Sequence, residues 1–195
     1  MEPPANRPLT RRRPLPFSRM PPENPAMMRI IAGDLDDPRV VGLLRLHLES
    51  ARAQTAPGSA HALDLTGLRS PEISFWAIWE EGALLGVGAL KRLSAGHGEV
   101  KSMHTARAAR GRGVGGAMLR HIIASAREGA MSRLSLETGS WEYFRPAIAL
   151  YRRHGFVECA PFADYAADPN SVFMTLDLTG SGAPDIRPSN GGGPV

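Results

Sequence analysis

Residues 106–117 read Ala106-Arg107-Ala108-Ala109-Arg110-Gly111-Arg112-Gly113-Val114-Gly115-Gly116-Ala117, and this stretch decides how the rest of the chain is read. Upstream, Glu99 to Thr105 alternates polar and less polar residues and predicts a strand. Downstream, Val114, Met118, Ile122 and Ala126 step by four, with Arg120, Arg127 and Glu128 elsewhere, which predicts an amphipathic helix ending near Gly129. A strand feeding a glycine-rich turn and then a helix presents backbone N–H groups that no earlier carbonyl can satisfy. The positive end of the helix dipole adds to them, and together they favour phosphate oxygens. Gly111, Gly113 and Gly115 keep Cβ atoms out of the way of such an anion, and Arg110 and Arg112 supply charge.

Working outward, the elements alternate. Met28 to Ala32 predicts a short strand. Asp37-Pro38 signals a helix start, and Val41, Leu44 and Leu48 continue that helix to about Ala53. A turn-rich stretch from Thr55 to Pro71 has room for a short helix near His61 to Leu65. Ile73 to Trp79 and Leu84 to Leu93, separated by Glu81-Gly82, read as an antiparallel hairpin. Beyond the central helix come a strand at Arg133 to Glu137, a helix from Phe144 to His154 ended by Gly155, and strands at Phe156 to Cys159 and Val172 to Leu178. The order predicts a mixed α/β sheet in one domain, residues 27–179. The proline-rich residues 1–26 and the glycine-rich residues 180–195 are expected to be disordered tails.

Charge and composition narrow the function classes. Of the formal net charge of +4, the first 26 residues carry +3, so the basic character belongs mainly to a tail and predicts no nucleic-acid partner. No apolar run approaches the length of a membrane span, and the basic N-terminus lacks the apolar core of a secretory signal, so a cytoplasmic protein is expected. The single cysteine, Cys159, cannot form an intramolecular disulfide, and two cysteine ligands for zinc do not exist, so no metal is expected.

Two phosphate-binding readings compete for the turn. Gly111, Gly113 and Gly116 satisfy G-x-G-x-x-G, and Glu137 stands about twenty residues on, where a dinucleotide site puts its ribose-binding acid. Against this, Ala106 to Arg110 intervene between strand and first glycine, and too little patterned chain follows Glu137 to complete a doubly wound sheet. No Gly-Lys-Ser/Thr is present for a nucleoside-triphosphate loop.

Arg110-x-x-Gly113-x-Gly115 between a strand and an amphipathic helix resembles the signature of the GNAT N-acetyltransferase superfamily. Ala147-x-x-Leu150-Tyr151-x-x-x-Gly155-Phe156 resembles that family's helix-to-strand segment. The resemblance spans about residues 28–178. It implies a GNAT-like mixed, mostly antiparallel sheet flanked by helices, with a splay between the two central strands, here Glu99 to Thr105 and Arg133 to Glu137. It also implies acetyl-CoA as cosubstrate, with Met103, His104 and Thr105 facing it and its pyrophosphate held by Arg110, Gly111, Arg112, Gly113, Val114, Gly115 and Gly116. The strand before the turn is expected to carry a bulge whose backbone N–H, near Met103 or His104, stabilises the oxyanion. The partner is expected to be an amine acceptor, a small molecule or a peptide.

For an amine attacking a thioester, Glu99 and then Glu137 are the candidate bases, and Tyr151 matches the tyrosine that protonates the departing thiolate in many relatives. Each has a structural alternative: an exposed strand-end glutamate, a carboxylate that caps or pairs with an arginine, and a packed tyrosine. His104 is read first as a satisfied strand histidine, and His61 as a residue of the variable acceptor region. Phe162, Tyr165 and Asn170 lie in the loop that shapes the acceptor side, while Trp76, Trp79 and Trp141 are read as packing. A catalytically silent CoA-ester sensor of the same fold is the alternative function. Exposed sheet edges would allow a homodimer.

Overall fold

The computed structural model describes residues 27–53 and 65–180; His61 and most of the short helix predicted near His61 to Leu65 lie outside the described residues, and Leu65 opens a helical turn that runs to Leu68. Among the described residues, seven strands and four α-helices follow in the order β1 (Arg29–Ala32), α1 (Pro38–Ala53), α2 (Leu65–Leu68), β2 (Ile73–Glu80), β3 (Ala83–Arg92), β4 (His97–Thr105), α3 (Val114–Glu128), β5 (Arg133–Gly139), α4 (Arg145–Arg153), β6 (Val157–Glu158) and β7 (Ser171–Asp177). The sheet order is β1-β2-β3-β4-β5-β7-β6, and every neighbouring pair is antiparallel except β4 and β5. The expected order and the mixed, mostly antiparallel sheet are both present.

Local chemistry accounts for the boundaries. Asp37 caps α1, its Oδ1 accepting the Arg39 N–H at 2.8 Å, and Pro38 opens the helix. Glu81 and Gly82 both take positive φ, 48° and 79°, the two-residue turn whose twist matches that of a hairpin. Gly155, at φ 88°, ends α4 in the left-handed conformation.

Period-two alternation divides the side chains between two layers. Phe75, Ala77, Val87 and Ala89 face α1, packing with Val40, Leu43 and Leu44. Ile78, Leu90, Val100, Leu134 and Leu136 face the other way, against Met118, Leu119 and Ile122 of α3 and against Phe156. Truncating a fully buried residue of either layer, such as Leu119 or Leu44, would cost about 2–5 kcal/mol.

Two irregularities open the sheet in its middle. β4 and β5 pair only at His97–Arg133, Gly98–Leu134 and Glu99–Ser135, after which β5 stays with β7 and β4 with β3. Within β4 the register against β3 slips between Val87–His104 and Ala89–Lys101, so Ser102 and Met103 together oppose Gly88, with Ser102 at φ 51°. A bulge of this kind bends its strand and increases its twist, which carries β4 away from β5.

Candidate active site

The splay and the start of α3 bound one cleft of ≈ 640 Å³. Its α3 end is made mostly of backbone. Gly111 and Gly113 have φ of 76° and 81°, and an added Cβ would meet only open space; the conformation, not crowding, selects glycine here. Gly113 caps α3 without a side chain, and its carbonyl already accepts the Ala117 N–H, so the first-turn amides of α3 carry no side-chain cap. Arg110, Gly115, Gly116 and Val114 line the same end, with Leu150, Tyr151 and Arg153 of α4 opposite. An uncapped, acid-free helix start beside an arginine is a cradle that fits a pyrophosphate.

Of the residues proposed for this end, Arg112 is oriented differently from the rest. It pairs with Glu80 on the outer surface, 45% exposed, away from the cleft lining. Arg110 and the glycines are brought together as the sequence implied, and so are Met103, His104 and Thr105 on β4. The bulge divides these three: Met103 packs with the α3 layer and Thr105 stands by Gly115, whereas His104, opposite Val87, turns to the α1 side.

Tyr151 is 8% exposed, with its ring 5.9 Å from that of Phe156. Burial, and then the charge of Glu137, push its phenol up to about 12. Glu137 itself lines the cleft from β5, and its Oε1 accepts the Ser171 hydroxyl at 2.6 Å.

Glu99 has a different setting. It is 2% exposed and lies behind the wall. Its Oε1 accepts the Tyr165 hydroxyl at 2.7 Å and stands 3.1 Å from Lys101 Nζ, which in turn donates to the Tyr165 oxygen at 2.7 Å. Burial, the charge of Glu99 and its hydrogen bond all raise the Tyr165 phenol, so it stays protonated. This triangle ties the loop before β7 to β4. Phe162 packs beside Tyr165, and Asp168 and Asn170 close the loop's end through the Asn170 N–H to Asp168 Oδ1 bond at 2.8 Å.

The His104 ring lies against that of His47 of α1, centroids 5.0 Å apart and planes tilted by 43°, and both residues line the cleft. Burial lowers both imidazoles. For His47, burial together with the neighbouring His104 and Lys101 brings the value to about 4. The sequence reading passed over His47 and Lys101. The signal available for Lys101 was its place two residues after Glu99 on one strand face; for His47 it was only a helix position beside Leu44 and Leu48.

Among the tryptophans, Trp76 packs edge-on against His121 at 4.8 Å and Trp79 lies under Arg39 at 4.3 Å. Trp141 is a correction: it precedes a short turn of 3-10 helix, is 47% exposed, and does not pack as expected. Cys159 is only half-buried. Among the described residues no group of three or more His, Cys, Asp or Glu side chains is placed to hold a metal ion, and no helix is long and apolar enough to cross a membrane.

Comparison with known proteins gives concordant results. The model of the acetyltransferase (GNAT) family matches residues 42–156. An uncharacterized N-acetyltransferase of Bacillus subtilis, YsnE, is 50% identical over 151 residues, 77% of this chain and 100% of its own. Another from Escherichia coli, YedL, is 46% identical over 152 residues, 78% of this chain and 96% of its own. Among solved structures, a GNAT family acetyltransferase from Elizabethkingia anophelis with acetyl-CoA bound superposes with a TM-score of 0.57 at 16% identity, covering 77% of this chain and 97% of that one, a likeness of fold.

Proposed function

Because this chain belongs to the acetyltransferase (GNAT) family, we propose that it moves the acetyl group of acetyl-CoA to a primary amine of a small molecule or peptide by direct attack in a ternary complex. One observation carries the reading: the cleft joins a backbone anion cradle at the start of α3 to two ionisable side chains, Tyr151 and Glu137, at the splay of β4 and β5.

When bound, acetyl-CoA supplies an activated acyl thioester. Arg110 and the first-turn amides of α3 hold its pyrophosphate, and Met103 and Thr105 border its arm. The bulged backbone near Met103 and His104 offers an N–H to the developing oxyanion, a dipole fixed before charge appears. Glu137, on the cleft wall, takes the ammonium proton directly or through water. Glu99, behind it, holds Lys101 and Tyr165 in place.

Tyr151 serves the leaving group, and its raised value defines how. Burial and the charge of Glu137 keep the phenol protonated at neutral pH, so it meets the departing sulfur with its hydrogen in place. Tyr151 thus donates its O–H to the departing thiolate, the general-acid role of this reading. Tyr151→Phe should lower kcat about tenfold, the weight of one hydrogen bond to a charged group, and leave the dissociation constant for CoA unchanged. Equal kcat in the variant would remove Tyr151 from the mechanism.

The single cysteine, Cys159, agrees with a cytoplasmic setting. The deciding experiment is thermal unfolding with acetyl-CoA, CoA, NADH and ATP in parallel at about a hundred times a dissociation constant, where binding adds about 2.7 kcal/mol. A shift of several degrees with the CoA compounds alone, followed by thiol release with an amine, supports the reading. A shift with NADH alone defeats it, binding without turnover on any amine would mark a sensor, and ping-pong kinetics would remove the ternary complex.

A further inference from the structure

Positive charge gathers at the start of α3 beyond what the pyrophosphate reading uses. Arg120 stands one helical turn after Gly116, and a helical side chain leans toward the N-terminus of its own helix, so its guanidinium folds back over the first turn. An added Cβ at Gly116 would lie 3.2 Å from Arg120 Nη1 and 3.9 Å from His154 Nε2. Gly116 is buried, so any side chain there would compete for space with both groups. His154 follows the last residue of α4, and its Nδ1 lies 2.9 Å from the Leu150 carbonyl oxygen. A carbonyl only accepts, so Nδ1 carries the hydrogen, and this bond holds the ring with its Nε2 edge toward α3. Arg153, beside it, lines the cleft.

This charge is not compensated within the protein. Two arginines of the region have acidic partners, Arg112 with Glu80 and Arg152 with Glu158. Arg110, Arg120 and Arg153 are exposed, and none of them forms an ion pair with a described residue. The first turn of α3 holds no acidic side chain either. Cations are disfavoured at the positive end of a helix dipole, so Arg120 folded back over that end repels the dipole until an anion is bound. Arg110 and the first-turn amides match the pyrophosphate. Arg120 and Arg153 are then left facing the same side of the cleft mouth with no anion of their own.

We propose that Arg120 and Arg153, together with the Nε2 edge of His154, hold a third phosphate, the monoester on the 3′ position of the cosubstrate's ribose, and make this protein selective for CoA thioesters over their dephospho forms. The inference rests on the acetyl-CoA reading above. A phosphate monoester carries a charge of about −1.5 to −2 at neutral pH and three acceptor oxygens, which suits two guanidinium forks better than one.

The test is titration calorimetry with CoA and dephospho-CoA, which keeps the pyrophosphate and lacks only the 3′-phosphate. CoA should bind about tenfold or more tightly, the scale of a hydrogen bond to a charged group. Arg120→Ala and Arg153→Ala, both at exposed positions, should each weaken CoA and leave dephospho-CoA within about twofold, so that the ratio falls toward one. Arg127→Ala, exposed at the other end of α3, should leave the ratio as it is in the unmodified protein. Equal affinity of the unmodified protein for the two compounds would overturn the proposal. So would variants that lose both compounds equally, since that result puts these arginines on the pyrophosphate, and so would an Arg127→Ala effect of the same size, which would mean net charge alone. If neither compound binds at all, the acetyl-CoA reading itself fails and takes this inference with it.

Discussion

The two ends of the cleft are built from different materials. The α3 end is mostly backbone: left-handed Gly111 and Gly113 and an uncapped helix start, with Arg110 beside them and Arg153 of α4 opposite. The α1 end is side chain: Glu99, Lys101 and Tyr165 in a buried triangle, His47 on His104, and Glu137 across the gap, from two helix or loop segments and two strands. Backbone donors recognise a phosphate whatever else the molecule carries, whereas side chains from separate elements discriminate one acceptor from another. On the proposed reading, the contrast assigns a shared cosubstrate to local geometry and a particular acceptor to assembled geometry.

The comparison can be broken hardest at its backbone end. Gly113→Asp places a carboxylate where phosphate oxygens belong and forces a side chain into φ 81°; CoA affinity should fall about a hundredfold or more by calorimetry. Near-normal affinity would mean that the turn does not bind the pyrophosphate. At the side-chain end, His47 should govern acid stability. Its folded value near 4 lies below the reference of 6.5, so the unfolded chain binds more protons between those values and stability falls as pH drops through that window, by up to about 3 kcal/mol. His47→Phe should flatten that slope in denaturant unfolding between pH 7 and pH 4.5; an unchanged slope would show that His47 is not the group responsible.

Two smaller effects sharpen the contrast. Tyr165→Phe deprives Glu99 and Lys101 of the hydroxyl that bridges them in a buried setting and should cost about 1–3 kcal/mol in unfolding free energy. No loss would show that the triangle is replaceable. Arg112→Ala removes an exposed arm of the pair with Glu80 and should cost at most about 1 kcal/mol, with CoA affinity within about twofold. A tenfold loss of affinity would return Arg112 to the phosphate-binding set.

The legible parts of the sequence were those in which one short segment carries both the signal and its consequence. Val114 to Glu128 was readable as a helix from its four-residue step and its stop at Gly129, and Glu81-Gly82 as a hairpin turn from its residue types. The cleft position of Glu137 followed from the family resemblance. The burial of Glu99 did not, because it depends on Tyr165, sixty-six residues away, folding back over β4. Trp141 was misread for a similar reason: its hydrophobicity is local, but its burial depends on contacts that spacing does not encode, and it stands exposed.

β4 shows where the division falls. Strict alternation from Glu99 puts Lys101, Met103 and Thr105 on one face and His104 on the other. The bulge at Ser102 inserts one residue, reverses the phase, and delivers His104 to the face of Lys101 while Met103 and Thr105 turn to α3. The sequence by itself determined the element order, the glycine-rich turn before α3 and the family, since each is written in contiguous spacing. Only the tertiary structure decided which side chains meet beneath α1, because that depends on a register shift and on contacts between segments that spacing along the chain does not encode.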